Sequence, residues 1–177
     1  VLERRGPRTK VFSARGRTLI PGLNDSHQHP TRAGRFYATE LRWDGVRSLN
    51  QGLAMIEAAA WNTPEEQWVR VVGGWSPFQF EEKRLPKPAE LTAAAPDTPV
   101  FVLFLYSQGY LNRKAVEVRG LSPATATPAG TRMEFTPDGG CILHAEPNPD
   151  LLYGGVAVLP SLSKQEQALS TRHYLRE

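Results

Sequence analysis

Two histidines, His27 and His29, stand one residue apart in the stretch Thr18 to Thr31, which reads TLIPGLNDSHQHPT. On an extended backbone, side chains at i and i+2 point to the same side. Two imidazoles placed this way can hold one metal ion from a single short piece of chain; a helix would need i, i+4 spacing instead. Pro30 cannot continue a central strand, so the pair is expected at a strand end where the chain turns into a loop. Asp25 lies two residues before His27 and would share its face. It is placed to bond nearby backbone or to orient a ligand, rather than to bind metal itself. A second reading stays open, in which both histidines are surface or hydrogen-bonded side chains. A metal site takes roughly three or four ligands, and only two are visible.

Nothing else in the chain completes such a site. His144 falls in an expected hairpin and His173 on the last helix, neither with a second ligand at metal spacing. Glu146 has no supporting neighbour. The single cysteine, Cys141, excludes an intramolecular disulfide and Cys-rich zinc sites. Between Gly140 and Ile142-Leu143 it reads as a buried strand thiol, with a nucleophile as the lesser alternative. No residue is credible as a catalytic base, so no catalytic residue is assigned.

The elements that must position the pair follow from pattern. Residues 1–17 are basic and broken by Gly6-Pro7 and Gly16, and read as a strand remnant and a turn. A first strand should run from Thr18 through Leu23. Beyond Pro30 a loop is expected, with a helical turn within Arg35 to Trp43. Ser48 and Gln51 form a capping-box pattern, and Leu49, Leu53, Ile56 and Ala60 make the apolar stripe of a core-facing helix. Thr63 to Glu66 should be a turn, and Gln67 to Gly73 a strand burying Val69, Val71 and Val72. After it, Gly73-Gly74-Trp75 allows two readings, Trp75 as a roof over the core or as a wall of a substrate pocket.

Glu81 to Arg84 reads as a solvated face. A short helix is expected over Ala89 to Ala95, then a strand covered on both faces over Pro99 to Leu105, an unbroken apolar run. Asn112 should cap a helix over Arg113 to Arg119, stopped by Gly120. Residues 122–130 read as loop. Thr131–Phe135 and Cys141–Ala145 flank Thr136-Pro-Asp-Gly-Gly140, a hairpin signal. An irregular stretch from Pro147 to Pro160 follows. Ser163 and Glu166 then open a helix expected to run on to Glu177.

The 177 residues suit one domain, and 40% hydrophobic with 22% charged residues describes a globular chain rather than a disordered one. A net charge of +3 with scattered arginines and no accompanying aromatic stripe argues against a nucleic-acid face. No apolar run approaches a membrane span. No signal peptide is visible behind Val1, and the compartment expected is the cytoplasm.

The run PGLNDSHQH resembles the signature PGxxDxHxH that follows the first barrel strand in the amidohydrolase superfamily. Upstream, GPRTKVFSARGRTLIPG is similar to the end of that superfamily's small β-sandwich entering strand one, with Ser13 where an Asp is usual. Downstream, WVRVVGGWSPFQF, PDTPVFV and LNRKAVEVRGL are similar to amidohydrolase family 3, the group containing N-substituted formamide deformylases. The resemblance implies an α/β fold: an incomplete portion of a (β/α)8 TIM-type barrel, first strand plus an α+β insertion, over residues 18–177. Residues 1–17 would be the remnant of the β-sandwich strand and a linker. A full barrel takes about 250 residues.

The same resemblance implies that His27 and His29 are ligands of a divalent metal, zinc first, with Asp25 behind them and Trp75 near the substrate mouth. Lys114 lies in a helix similar to a non-catalytic one and is not expected to be the family's carboxylated lysine. Later strands would supply the remaining ligands and the base. Together they would hydrolyse a C–N bond of an amide, formamide or N-acyl compound by metal-activated water. The implied partner is a small amide-type substrate, not nucleic acid or membrane, with self-association through uncovered barrel edges. Tyr106-Ser107-Gln108-Gly109 stands where relatives often carry Asp-Gly-His-Ser, which bears on substrate choice. The rival expectations are a non-catalytic remnant that binds metal weakly or binds a partner, and, with less support, a basic module for acidic ligands. Alone, the chain is expected to be inactive.

Overall fold

The computed structural model of the chain describes residues 2–22, 24–146 and 148–176. Among these residues five strands form one mixed sheet: β1 (Val69–Val71), β2 (Val100–Phe104), β3 (Gln108–Leu111), β4 (Arg132–Phe135) and β5 (Cys141–His144), in the order β1-β2-β3-β5-β4. Only β1 and β2 are parallel, with Val69 opposite Val100. The other pairings are antiparallel.

Side-chain alternation divides the sheet into two apolar faces. Val100 and Val102 of β2 join Val69, Val71 and Tyr110 on one side, covered by Leu49 and Ile56 of α2 (Leu49–Asn62) and Leu91 of α3 (Pro88–Ala94). Phe101 and Leu103 join Leu111, Cys141 and Leu143 on the other side. That face is covered by Ala115 and Val116 of α4 (Arg113–Val118) and by Leu151 and Leu152 of α5 (Asp150–Ala157). The predicted double coverage of β2 is thus present. Burial also pushes the Cys141 thiol up to about 11, which suits a packing role. Two further helices, α1 (Pro30–Gly34) and α6 (Lys164–Tyr174), pack on each other beside the sheet.

The Ser48 cap forms, its hydroxyl accepting from the Gln51 N–H. Glu82, expected on a solvated face, reinforces it. Its carboxylate accepts from the Leu49 N–H (2.8 Å) and the Asn50 N–H (3.3 Å) at the start of α2, and from the Ser48 hydroxyl (3.0 Å). These bonds, that from Leu49 foremost, hold the carboxyl down to about 2.

Four expectations need correction. Residues 18–22 form no strand and lie exposed, Leu19 at 91% and Ile20 at 64%; Leu23 lies outside the described residues. No sandwich strand forms upstream either: Leu2–Arg4 is a single 3-10 turn, and residues 5–17 are turn and coil. A strand exists only by bonding a neighbour, and no described segment lies beside this arm. Asp150–Ala157, expected irregular, is a helix, while Gln108–Leu111, which carries no strand pattern of its own, is a central strand. The last helix ends at Tyr174, with Leu175 as its cap, rather than running on.

The fully buried Asn112 spends its whole side chain on backbone. Its Nδ2 donates to the carbonyls of Ala95 (2.7 Å) and Thr98 (2.9 Å), while its Oδ1 accepts from Val100 and Ala115 (both 2.9 Å). Asn112→Ala strands these groups without water and should cost about 3 kcal/mol in a urea unfolding series. A second expectation concerns acid. With Glu82 depressed in the folded state, its stabilisation is full above the ordinary glutamate range and fades as pH falls toward about 2. Glu82→Gln should therefore lower the thermal midpoint at neutral pH, and the gap from wild type should close in strong acid.

Candidate metal centre

The histidines come together through a bend rather than a strand. Asp25 accepts a hydrogen bond from the backbone N–H of His27 (2.9 Å), closing a tight turn over residues 25–27. The same bond is the main cause holding the Asp25 carboxyl below the usual range. His29 is the N-cap of α1, and Pro30 takes the first helical position, where its missing N–H costs nothing. Pro30 therefore starts a helix at the point where it ends the extended segment.

The two Nε2 atoms lie 3.2 Å apart, with the rings nearly perpendicular at 82°. Two nitrogens bound to one tetrahedral zinc at about 2.0–2.1 Å would be separated by about 3.3 Å, so the pair fits a shared ion. Among the described residues no cluster of three or more His, Cys, Asp or Glu could hold a metal. The other sequence candidates sit elsewhere. His144 bonds Glu134 (2.9 Å) and Gln108 (3.3 Å) across β4, β5 and β3. His173 packs edge-on against Tyr37 from α6. Glu146 is exposed just beyond β5, and Lys114 is on α4.

His29 opens onto a cavity of about 350 Å³ at the carboxyl ends of the parallel pair. Val72, Gly73 and Gly74 line it where the chain leaves β1, and Leu103 at the end of β2 lines it with Leu105 and Tyr106 just beyond. Arg32 and Ala33 come from α1, Tyr174 from α6, and Glu40 and Arg42 from the segment between α1 and α2. That segment is pinned to the sheet edge by the Leu41 N–H, which donates to the Arg70 carbonyl (2.8 Å). Trp75, the pocket-wall candidate, is 8% exposed and lies in the core below. Its ring stacks on Phe80 and meets Trp43 edge-on, while its Nε1 donates to the Leu103 carbonyl (3.1 Å). The wall itself is the Gly73-Gly74 backbone. Gly74 has φ +75°, and a Cβ there would run into the Asp44 carboxylate.

Glu40 is the pocket group that sequence reasoning missed. Burial raises its carboxyl above the usual range, against the opposing pull of Arg42 and Arg70. Arg70 is 3% exposed and shifted downward by the same desolvation, with Glu40 opposing. A single acid in TELRW carries no local signal. It gains meaning only when the turn after α1 folds back on β1.

Residues 10–175 match the sequence profile of the Amidohydrolase family, nearly the whole chain. The chain belongs to that family. Among curated relatives it is 29% identical over 147 residues to the N-substituted formamide deformylase of Arthrobacter pascens, covering 80% of this chain and 27% of that one. It is 26% identical over 125 residues to the putative amidohydrolase YtcJ of Bacillus subtilis, covering 70% and 23%. The chain thus spans about a quarter of the length of the curated relatives it matches. Its fold is similar to that of an uncharacterized metal-dependent hydrolase from Pyrococcus horikoshii, at TM-score 0.53 and 20% identity over 86% of this chain and 28% of the other. A second such hydrolase, from Pyrococcus furiosus, gives 0.51 and 16%, over 88% and 29%. No helix among the described residues is long and apolar enough to cross a membrane.

Two imidazoles leave half of a four-ligand shell to water. Zinc titrated calorimetrically into the 177-residue chain should bind on the order of micromolar or weaker. Binding should vanish in His27→Ala and persist in His144→Ala and His173→Ala.

Proposed function

We propose that this chain is the amino-terminal segment of a metal-dependent amidohydrolase that cleaves a C–N bond of an amide, formamide or N-acyl compound. The observation that carries the reading is the pair of Nε2 atoms 3.2 Å apart, with His29 on a cavity at the carboxyl ends of parallel strands. That is the end at which barrel enzymes of this architecture build their sites. On this reading β1 and β2 are neighbouring strands of a (β/α)8 barrel whose remaining strands supply the other ligands and the base. The family match and the formamide deformylase relative support the bond class.

His27 and His29 would hold a divalent ion, zinc first, which when bound supplies a water of lowered pKa and polarises a substrate carbonyl. The turn closed by Asp25 orients His27 through its backbone, and the helical start at Pro30 orients His29. Val72, Leu103, Leu105 and Tyr106 give the cavity an apolar side that shields a substrate's non-reacting part from water. Glu40, with its carboxyl raised, can keep or release a proton in the same cavity. Trp75 supports the Gly73-Gly74 wall from beneath. A second reading, a non-catalytic remnant that binds a partner or a second copy of itself, draws on the exposed Phe12, Leu19 and Ile20 of the arm.

The test is an assay of the complete protein on a panel of N-formyl and N-acyl compounds. His27→Ala and His29→Ala should each deplete bound metal and reduce turnover beyond the roughly 10–100-fold that a supporting residue costs. The 177-residue chain alone should show no hydrolysis. Turnover and metal content that survive the double alanine change would leave the histidines as ordinary surface residues.

A further inference from the structure

Ser170 is 1% exposed, one of three buried polar residues among those described, and it lies on α6, far from the histidines in sequence. Its hydroxyl donates to the carbonyl of Gly34 (2.6 Å), the last residue of α1. Its oxygen also accepts from the N–H of Ala38 (3.0 Å) in the turn that follows. A helix of five residues cannot satisfy its own carbonyl end, so these bonds complete α1 from outside. At its other end α1 begins with His29, whose carbonyl accepts the N–H of Ala33 (2.9 Å), the residue before Gly34.

The contact is close because Gly34 has no side chain. A Cβ there would lie 2.9 Å from both the Cα and the Cγ2 of Thr171. Arg35 adds a bond from its Nε to Gln167 (3.0 Å), and Tyr37 packs edge-on against His173 and Tyr174. These fastenings act on Gly34 to Ala38, the stretch that follows directly from the short helix opened by His29. The intrinsic stability of α1 is negligible, since isolated helices shorter than about 12 residues are marginal in water.

We infer that Ser170 is a positioning residue for His29, holding α1 against α6 so that the imidazole is preorganised to bind metal. The inference rests on the reading of His27 and His29 as metal ligands. An imidazole on a frayed turn must be ordered when metal arrives, and that ordering subtracts from affinity. Supporting residues around metal ligands typically control affinity by roughly 10–100-fold.

The experiment uses the complete protein with Ser170→Ala, Ser170→Cys, His29→Ala and Leu169→Gln, the last on the exposed face of α6. Two quantities are read: hydrogen exchange at the Ala33 amide in the metal-free protein, and zinc affinity by chelator competition. Ser170→Ala should speed Ala33 exchange and weaken zinc binding, each by about 10-fold or more. Ser170→Cys, with a weak S–H donor of similar shape, should fall between it and wild type. Leu169→Gln should change neither. If Ser170→Ala does not fold, Gly34→Ala replaces it; it keeps the serine but drives Thr171 away, and should move both readouts in the same direction. Faster exchange with unchanged zinc affinity overturns the inference alone, since His29→Ala would still abolish binding. Zinc affinity unmoved by His29→Ala overturns the metal-site reading itself.

Discussion

The side chain of Asn112 joins three elements at one buried point, α3, β2 and α4. Its amide holds the end of α3 and the turn before β2 by their carbonyls, and its oxygen holds the first N–H of β2 and the start of α4. All four partners are backbone, and the side chain has no exposure at all. A buried amide left without these bonds would cost far more than it returns when they form, so the arrangement is all-or-nothing. It fixes where β2 begins, and a five-residue strand transmits that to where it ends. Leu103, Leu105 and Tyr106 reach the cavity from that end.

The cavity lies where it does because only β1 and β2 run parallel. Both carboxyl ends point the same way, and the chain must leave them for opposite destinations. β1 continues into Gly73-Gly74 and the aromatic layer of Trp75 and Phe80, whereas β2 turns sharply into β3. Leu105 makes that turn at φ +50°, a conformation costly for a residue with a side chain, and it is 64% exposed on the cavity wall. The crevice between diverging connections is the usual ligand position in sheets of this kind. His29 is delivered to it from outside the sheet by α1.

What could be read in the chain was whatever its local pattern determines. The stripe of Leu49, Leu53 and Ile56, the run from Pro99 to Leu105, and the Pro-Asp-Gly-Gly turn each carry their own periodicity or turn chemistry. Gln108–Leu111 does not. It holds a polar residue and a glycine, and it is a strand because β2 and β5 flank it on both sides. Gly109 is needed there, since a Cβ would press on Phe101 and Leu152. Asp150–Ala157 contains Gly154-Gly155, poor helix formers, and is helical because Leu151 and Leu152 bury against the sheet. The opposite failure befell residues 18–22, whose apolar pattern suits a strand that finds no neighbour among the described residues. At the site, the proximity of the two imidazoles was legible from their spacing. The cavity was not, because Glu40, Arg42 and Tyr174 reach it only through tertiary contacts.

The charges around that cavity are tied to the backbone at the end of β1. Arg42 is held by Asp44 in a two-pronged ion pair, at 2.9 and 3.1 Å, and its guanidinium lies over the Tyr37 ring. Asp44 can take that position because Gly74 offers no Cβ to oppose it. Arg42 thus faces Asp44 as well as Glu40, and Arg70 is itself desolvated by burial, with Glu40 opposing that shift. Desolvation prevails at Glu40, although two guanidinium groups stand near it. Glu40, Arg42 and the Asp44 carboxylate that Gly74 admits thus lie together where the segment after α1 meets the end of β1.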